Sequence, residues 1–200
     1  MLNYTLFKVS PQSMIRSRTS SDVWVNPYTG IYREQQTSIG QEANGTFKNI
    51  TQGTFGSVGQ DAVYGTSDDE ILATDIRIAG FNPETRDYSL SHHFEGETYE
   101  NGLIRRLESH SGNTGNDLLV GNADDLDRRY NLVIENLDSG YYTYLESIKL
   151  YPLNNIWTER TVIGNVGEDG VLDIETDELA SDTTMIVSNP YYQDIGGGKS

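Results

Sequence analysis

The stretch YNLVIENLDSGYYTYLESIKL, residues 130–150, decides how the rest of the chain is read. Tyr130, Leu132 and Ile134 alternate with Asn131, Val133 and Glu135. After Leu137-Asp138-Ser139-Gly140 the alternation resumes through Tyr142, Tyr144, Glu146, Ile148 and Leu150. Successive side chains of a strand point to opposite faces, so this is a period-two pattern, and the residues between the two runs are turn formers. The spacing predicts a β-hairpin.

The same signal extends outward. Leu72, Thr74, Ile76 and Ile78 alternate with Ala73, Asp75 and Arg77. Further strands are expected at 5–9, 22–26, 46–50, 87–92, 117–120, 157–163, 171–174 and 183–188. Asn26-Pro-Tyr-Thr-Gly30, the run 111–116 and Gly167-Glu-Asp-Gly170 read as loops between them. The one helical pattern is Glu100–Ser109, with Leu103, Ile104 and Leu107 at helical spacing and Gly112 beyond. Many short strands with frequent turns point to an all-β fold: an antiparallel β-sandwich, best matched by a single jelly roll with little helix. Residues 1–21 form a basic N-terminal arm, 22–194 the single sandwich domain and 195–200 a flexible tail. The Gly/Thr/Gln-rich stretch 36–70 reads as a hairpin with a long rim. Gly45-Thr46-Phe47 recurs as Gly53-Thr54-Phe55, too few copies for a repeat architecture. Trp24 and Trp157 are expected in the core.

Composition narrows the function. The 200 residues include 30 Asp and Glu against 14 Lys and Arg, for a net charge of −16. Such a surface repels itself in dilute buffer and is tolerated best in salt. Among the bases only Lys8, Lys48, Lys149 and Lys199 are lysines, the look of a halophilic protein, with an ordinary acidic secreted or cytosolic protein as the alternative. The acid excess argues against nucleic-acid recognition, which needs clustered bases. No Cys is present, so disulfides, zinc thiolates and thiol nucleophiles are excluded. No apolar run reaches the roughly 18 residues of a membrane helix. The first 21 residues carry Lys8, Arg16 and Arg18 with no acid before Asp22, so this arm suits an anionic membrane surface or an acidic neighbouring subunit. Lys8 and Asn3 interrupt any signal-peptide core.

Three acidic segments could bind cations: Asp61 to Glu70, Asn116 to Asp127, and Glu168 to Asp182. Calcium wants six to eight oxygens from carboxylates and carbonyls, and Asp61, Asp68, Asp69 and Glu70 are the proposed ligands in the first segment. That segment resembles the DG-x-x-GT-x-DD loops of some secreted bacterial β-proteins, with Ala62 in place of the usual Gly. His92 and His93 are adjacent, so on a strand they face opposite ways and cannot share a metal; His93, Glu95 and Glu97 share a face. Nucleophile elbow, P-loop and dinucleotide fingerprints are missing. No catalytic or cofactor-binding residue is nominated, and the chain is not expected to be an enzyme. Tyr141, Tyr142, Tyr144, Tyr191 and Tyr192 are the candidate interface residues, since rigid amphipathic rings suit protein contacts. Loops 36–70 and 111–129 are candidate contacts beside them.

The start MLNYTLFKVSPQSMIRSRTSSD, followed by alternating strands on an acid-rich, Lys-poor chain, resembles small jelly-roll capsid or decoration proteins of viruses from saline habitats. The likeness is one of overall character. It implies a structural subunit of a virion, contacting copies of itself and other assembly proteins. The alternative is an extracellular, calcium-dependent module that binds carbohydrate or a cell surface.

Overall fold

The computed structural model describes residues 14–98, 102–116, 118, 125–149 and 156–188. Ten strands carry the fold: β1 (Met14–Val25), β2 (Ile31–Glu42), β3 (Phe47–Ser57), β4 (Glu70–Phe81), β5 (Asp87–Thr98), β6 (Gly102–Asn113), β7 (Leu126–Asn136), β8 (Tyr141–Lys149), β9 (Ile156–Asn165) and β10 (Glu178–Ser188). A single 3-10 turn, Gly167–Asp169, is the one helical element among the described residues. The strands form one antiparallel sheet whose spatial order is their order in the chain. One register row crosses the whole sheet: Thr19, Ser38, Ile50, Ile78, Ser91, Ser109, Asn131, Glu146, Arg160, Thr184.

The fold is therefore all-β and nearly helix-free, as the alternation implies. The two packed sheets of a sandwich or jelly roll are not found among the described residues. Instead, consecutive residues are exposed along β1 (17–24), at Ser89–Ser91 and along β10 (178–186). Neighbours in sequence point to opposite faces, so both faces meet solvent there. Trp24, expected in the core, is 60% exposed on β1. Trp157 lies in β9.

Other expectations are corrected locally. The helix expected at 100–109 is, in its described part from Gly102, strand paired to β5 and β7. Leu103 and Leu107, four apart, share a face of a strand as well as of a helix. Residues 171–174 are loop. Of the expected strand at 117–120, Leu118 is described, with φ 65°, and the other residues lie outside the described ones. The rim stretch 36–70 contains most of β2 and all of β3 in regular register. Residues 14–21 of the arm belong to β1. The expected strand at 5–9, Tyr191, Tyr192 and the tail 195–200 lie outside the described residues.

A tandem repeat underlies the meander, and it is not the Gly-Thr-Phe pair. β1–β3, β4–β6 and β7–β9 are three copies of a three-stranded unit, each followed by an acidic loop, and β10 begins a fourth. Each copy's first turn starts with an Asn: Asn26, Asn82 and Asn136. Its side-chain oxygen accepts the amides two and three residues on, from Tyr28 and Thr29, from Glu84 and Thr85, and from Asp138 and Ser139. The turn closes with a left-handed residue, Gly30, Arg86 or Gly140, with φ of 68°, 64° and 72°. Three strands is an odd number, so each copy runs opposite to the last, and successive turns and loops emerge at alternate ends of the sheet.

Candidate functional site

The three loops carry related sequences: VGQDAVYGTSDD at 58–69, TGNDLLVGNADD at 114–125 and VGEDGVLDIETD at 166–177. The three acidic segments picked out by composition are thus one loop used three times. Each is entered the same way. The amides of Val58, Thr114 and Val166 donate to the carbonyls of Gly30, Arg86 and Gly140, at 2.9, 3.0 and 3.1 Å. Gly59, Gly115 and Gly167 follow, and then Ala62, Leu118 and Gly170, all at positive φ.

Each unit buries one tyrosine, two residues after the left-handed residue that closes its first turn. Tyr32, Tyr88 and Tyr142 are buried, and each sits opposite a glycine in the register: Gly56, Gly112 and Gly164. Following the register rows, Tyr32 and Tyr142 lie on one face and Tyr88 on the other. The core is thus divided into three pieces on alternating faces and ends. Around Tyr142 it comprises Val162 and Val166, with Tyr144, Leu172 and Ile174 against them. Around Tyr32 the ring of Tyr64 stands edge-on at 5.0 Å, its hydroxyl donating to Glu34 at 2.9 Å. Around Tyr88 the contacts are polar: its hydroxyl donates to Asp125, fully buried, at 3.0 Å and lies 3.0 Å from His110 Nε2. Burying each large ring contributes about 1.5–3 kcal/mol.

The last Asp of each loop stands near its tyrosine: Asp69, Asp125 and Asp177. Burial raises the pKa of Tyr32, with Asp69 adding to it. Burial and then the neighbouring carboxylate push Tyr88 and Tyr142 up to about 12.

Of the four expected calcium ligands, Asp61, Asp68 and Asp69 are brought together and Glu70 is the exposed first residue of β4. The carboxylates accept the loop's own donors. Asp68 takes the amides of Gln60 and Asp61 and the Thr66 hydroxyl, at 2.8, 3.2 and 2.7 Å. Those bonds, the Thr66 hydroxyl first, hold the Asp68 pKa below the usual carboxylate value. Asp61 accepts Val63 N and Asp69 accepts Gly65 N, both at 2.8 Å. The third loop repeats this pattern, with Val171 N on Asp169 and Asp173 N on Asp177. No group of three or more His, Asp or Glu side chains arranged to hold a metal is found among the described residues.

Of the expected interface tyrosines, Tyr141 is 60% exposed and Tyr144 half-buried. Tyr142 is 2% exposed and belongs to a core piece. His92 and His93 do face opposite ways: His92 pairs across strands with Arg77 and Glu108, His93 with Ile76 and Leu107. One surface feature went unread in the sequence. A shallow basin of about 550 Å³ lies over β3–β7 on the Tyr88 face, lined in part by Arg77, His92, Arg106, Glu108, His110 and Tyr130. Its charged groups are mutually paired, Asp75 with Arg77 at 2.9 Å and Arg106 with Glu108 at 2.8 Å, and Asp75 lies 3.0 Å from His92 Nε2. These residues are far apart in sequence, and only the register joins them.

No family model, curated protein or solved structure matches this chain.

Proposed function

We propose that this chain is a structural subunit of a larger assembly, working through contacts along its sheet and performing no catalysis, with a virion as the setting its acidic, Lys-poor surface suits. One observation carries the reading. Among the described residues, β1 and β10 each pair on one side only, and large apolar side chains stand exposed on them: Val23 and Trp24 on β1, Met185 and Ile186 on β10. Open edges with apolar flanks are the surfaces by which β-proteins associate. Light scattering on eluting fractions, across salt concentrations, tests it. Assembly growing as salt screens the −16 charge is the expected result. A monomer at every salt and at high concentration overturns the reading.

The recurrence of one acidic loop at 58, 114 and 166 favours a second reading, a calcium-dependent extracellular binding module. An ion bound to the folded state raises the melting midpoint with its concentration. No shift at about millimolar calcium removes this reading. A shift that survives Asp61→Asn with Asp68→Asn places the ion elsewhere.

A further inference from the structure

We infer that copies of this chain join edge to edge, β10 of one against β1 of the next, continuing a single sheet from subunit to subunit. The inference rests on the structural-subunit reading and names its partner as a second copy. It begins from the repeat. β1, β4, β7 and β10 are the same strand position in successive units, and at β4 and β7 that strand is paired on both sides. The position is therefore built to accept two neighbours. At β1 and β10 the described residues supply one.

The C-terminal half of β10 also lacks the usual protection. Natural edge strands deter pairing with Lys, Pro or inward charges. Thr183-Thr184-Met185-Ile186-Val187-Ser188 contains neither charge nor Pro and is rich in β-branched residues, in a chain where 22% of residues are charged. Thr183 to Ile186 are exposed on both faces.

Direction selects the mate, and charge permits it. β1 carries Arg16 and Arg18, with no acid before Asp22, whereas β10 carries Glu178 and Asp182 and no base. Antiparallel pairing with Thr184 opposite Thr19 sets Asp182 opposite Ser21 and Arg18 opposite Met185, so no like charges meet across the β10–β1 contact. Ten antiparallel strands leave β10 running opposite to β1, so a copy shifted along the sheet in the same orientation presents its β1 antiparallel to β10. At about 4.8 Å per strand the shift is roughly 48 Å per subunit. Head-to-tail contacts of this kind grow into rings or filaments.

The register specifies a test. Thr19 and Thr184 lie on one row and one face of the sheet, so Thr184 should neighbour Thr19 of the next copy. The chain has no cysteine to interfere. Full-length Thr19→Cys and Thr184→Cys are mixed at assembling salt and oxidised, with Ser67→Cys in the exposed first loop as control. The expected product is the mixed Thr19–Thr184 disulfide, in at least about tenfold excess over the control. Thr184–Thr184 homodimers alone, or mixed product no higher than control, overturn the edge inference while assembly by scattering leaves the structural reading standing. A monomer in every condition, including one whose edge is covered by its own chain, overturns both. Ile186→Lys, which places a charge on an already exposed side chain, should weaken association at least about tenfold with an unchanged melting midpoint. Unchanged association also overturns the edge contact.

Discussion

Tyr88 lies across Gly112 so closely that a β-carbon on the glycine would stand 2.8 Å from the phenolic oxygen. The same contact recurs at Gly56, where a β-carbon would meet the Tyr32 ring at 2.4 Å, and at Gly164, 2.6 Å from the Tyr142 oxygen. None of these glycines has a positive φ. They are glycines because the ring on the facing strand occupies the space a side chain needs. Among the described residues, the sheet buries these aromatics by laying them on its own backbone.

Gly112→Ala should therefore destabilise by overpacking, at about 1–3 kcal/mol. For a chain of this size the melting midpoint falls about 2–4 °C per kcal/mol. Tyr88→Ala removes the clash along with the ring, so the double variant should lose less than the sum of the two singles. Additive losses in thermal melts would show that the ring and the glycine are energetically independent.

Arg86 is the exception at a position that is glycine in the other two units. Its φ of 64° costs about 1–2 kcal/mol for a side chain that gains nothing in return. Here the guanidinium donates to the Gly115 carbonyl at 2.7 Å and to Asn116 at 3.2 Å, tying the turn to its loop. Arg86→Ala keeps the strain and loses the bonds, whereas Arg86→Gly loses the bonds and relieves the strain. Denaturant unfolding should rank wild type and Arg86→Gly close together and Arg86→Ala lowest. An Ala variant equal to the Gly variant would show that the strain is negligible.

Alternation at 72–78 and 130–150 was enough to read strands, since pleating imposes a period of two whatever the sheet packs against. It could not say whether a second layer covers the far face: Thr, Gln and Ser fill many positions, and a half-polar face suits a sandwich surface and a bare sheet equally. Leu103, Ile104 and Leu107 misled because a spacing of four fits helix and strand alike. The repeat was visible in principle, with Asn at 26, 82 and 136 and Gly-x-Asp at 59, 115 and 167. Its period drops from 56 residues to 52 in the loop positions of the third unit, which hides it from a search at fixed spacing. The acidic segments were legible as segments. Their role beside the tyrosines was not, because Asp125 meets Tyr88 only after β5, β6 and β7 have paired.

Glu135 is buried on the face that carries Tyr142, and Arg105 on the neighbouring strand donates to it at 3.0 Å. Removing one partner of a buried pair leaves a desolvated charge and costs about 3–5 kcal/mol, while replacing both with apolar residues is often neutral. Arg105→Met should thus be strongly destabilising, and Arg105→Met with Glu135→Leu should recover most of the loss. A single variant within about 0.5 kcal/mol of wild type would mean that water reaches Glu135.

Alkaline pH should open the molecule at its loops. Tyr64, Tyr88 and Tyr142 have folded-state pKa values raised from 10.0 to about 12, in each case chiefly by burial. An acid whose pKa is raised on folding is protonated in the folded state where the unfolded chain already ionises. Its contribution is complete below pH 10 and is lost as pH rises through about 12. The melting midpoint should hold up to pH 10 and fall steeply above it. Tyrosinate absorbance should show these three groups ionising together with unfolding. Tyr88→Phe removes one of the three groups and should flatten the decline above pH 10. A Phe variant with an unchanged alkaline slope would show that Tyr88 ionises freely beneath its loop.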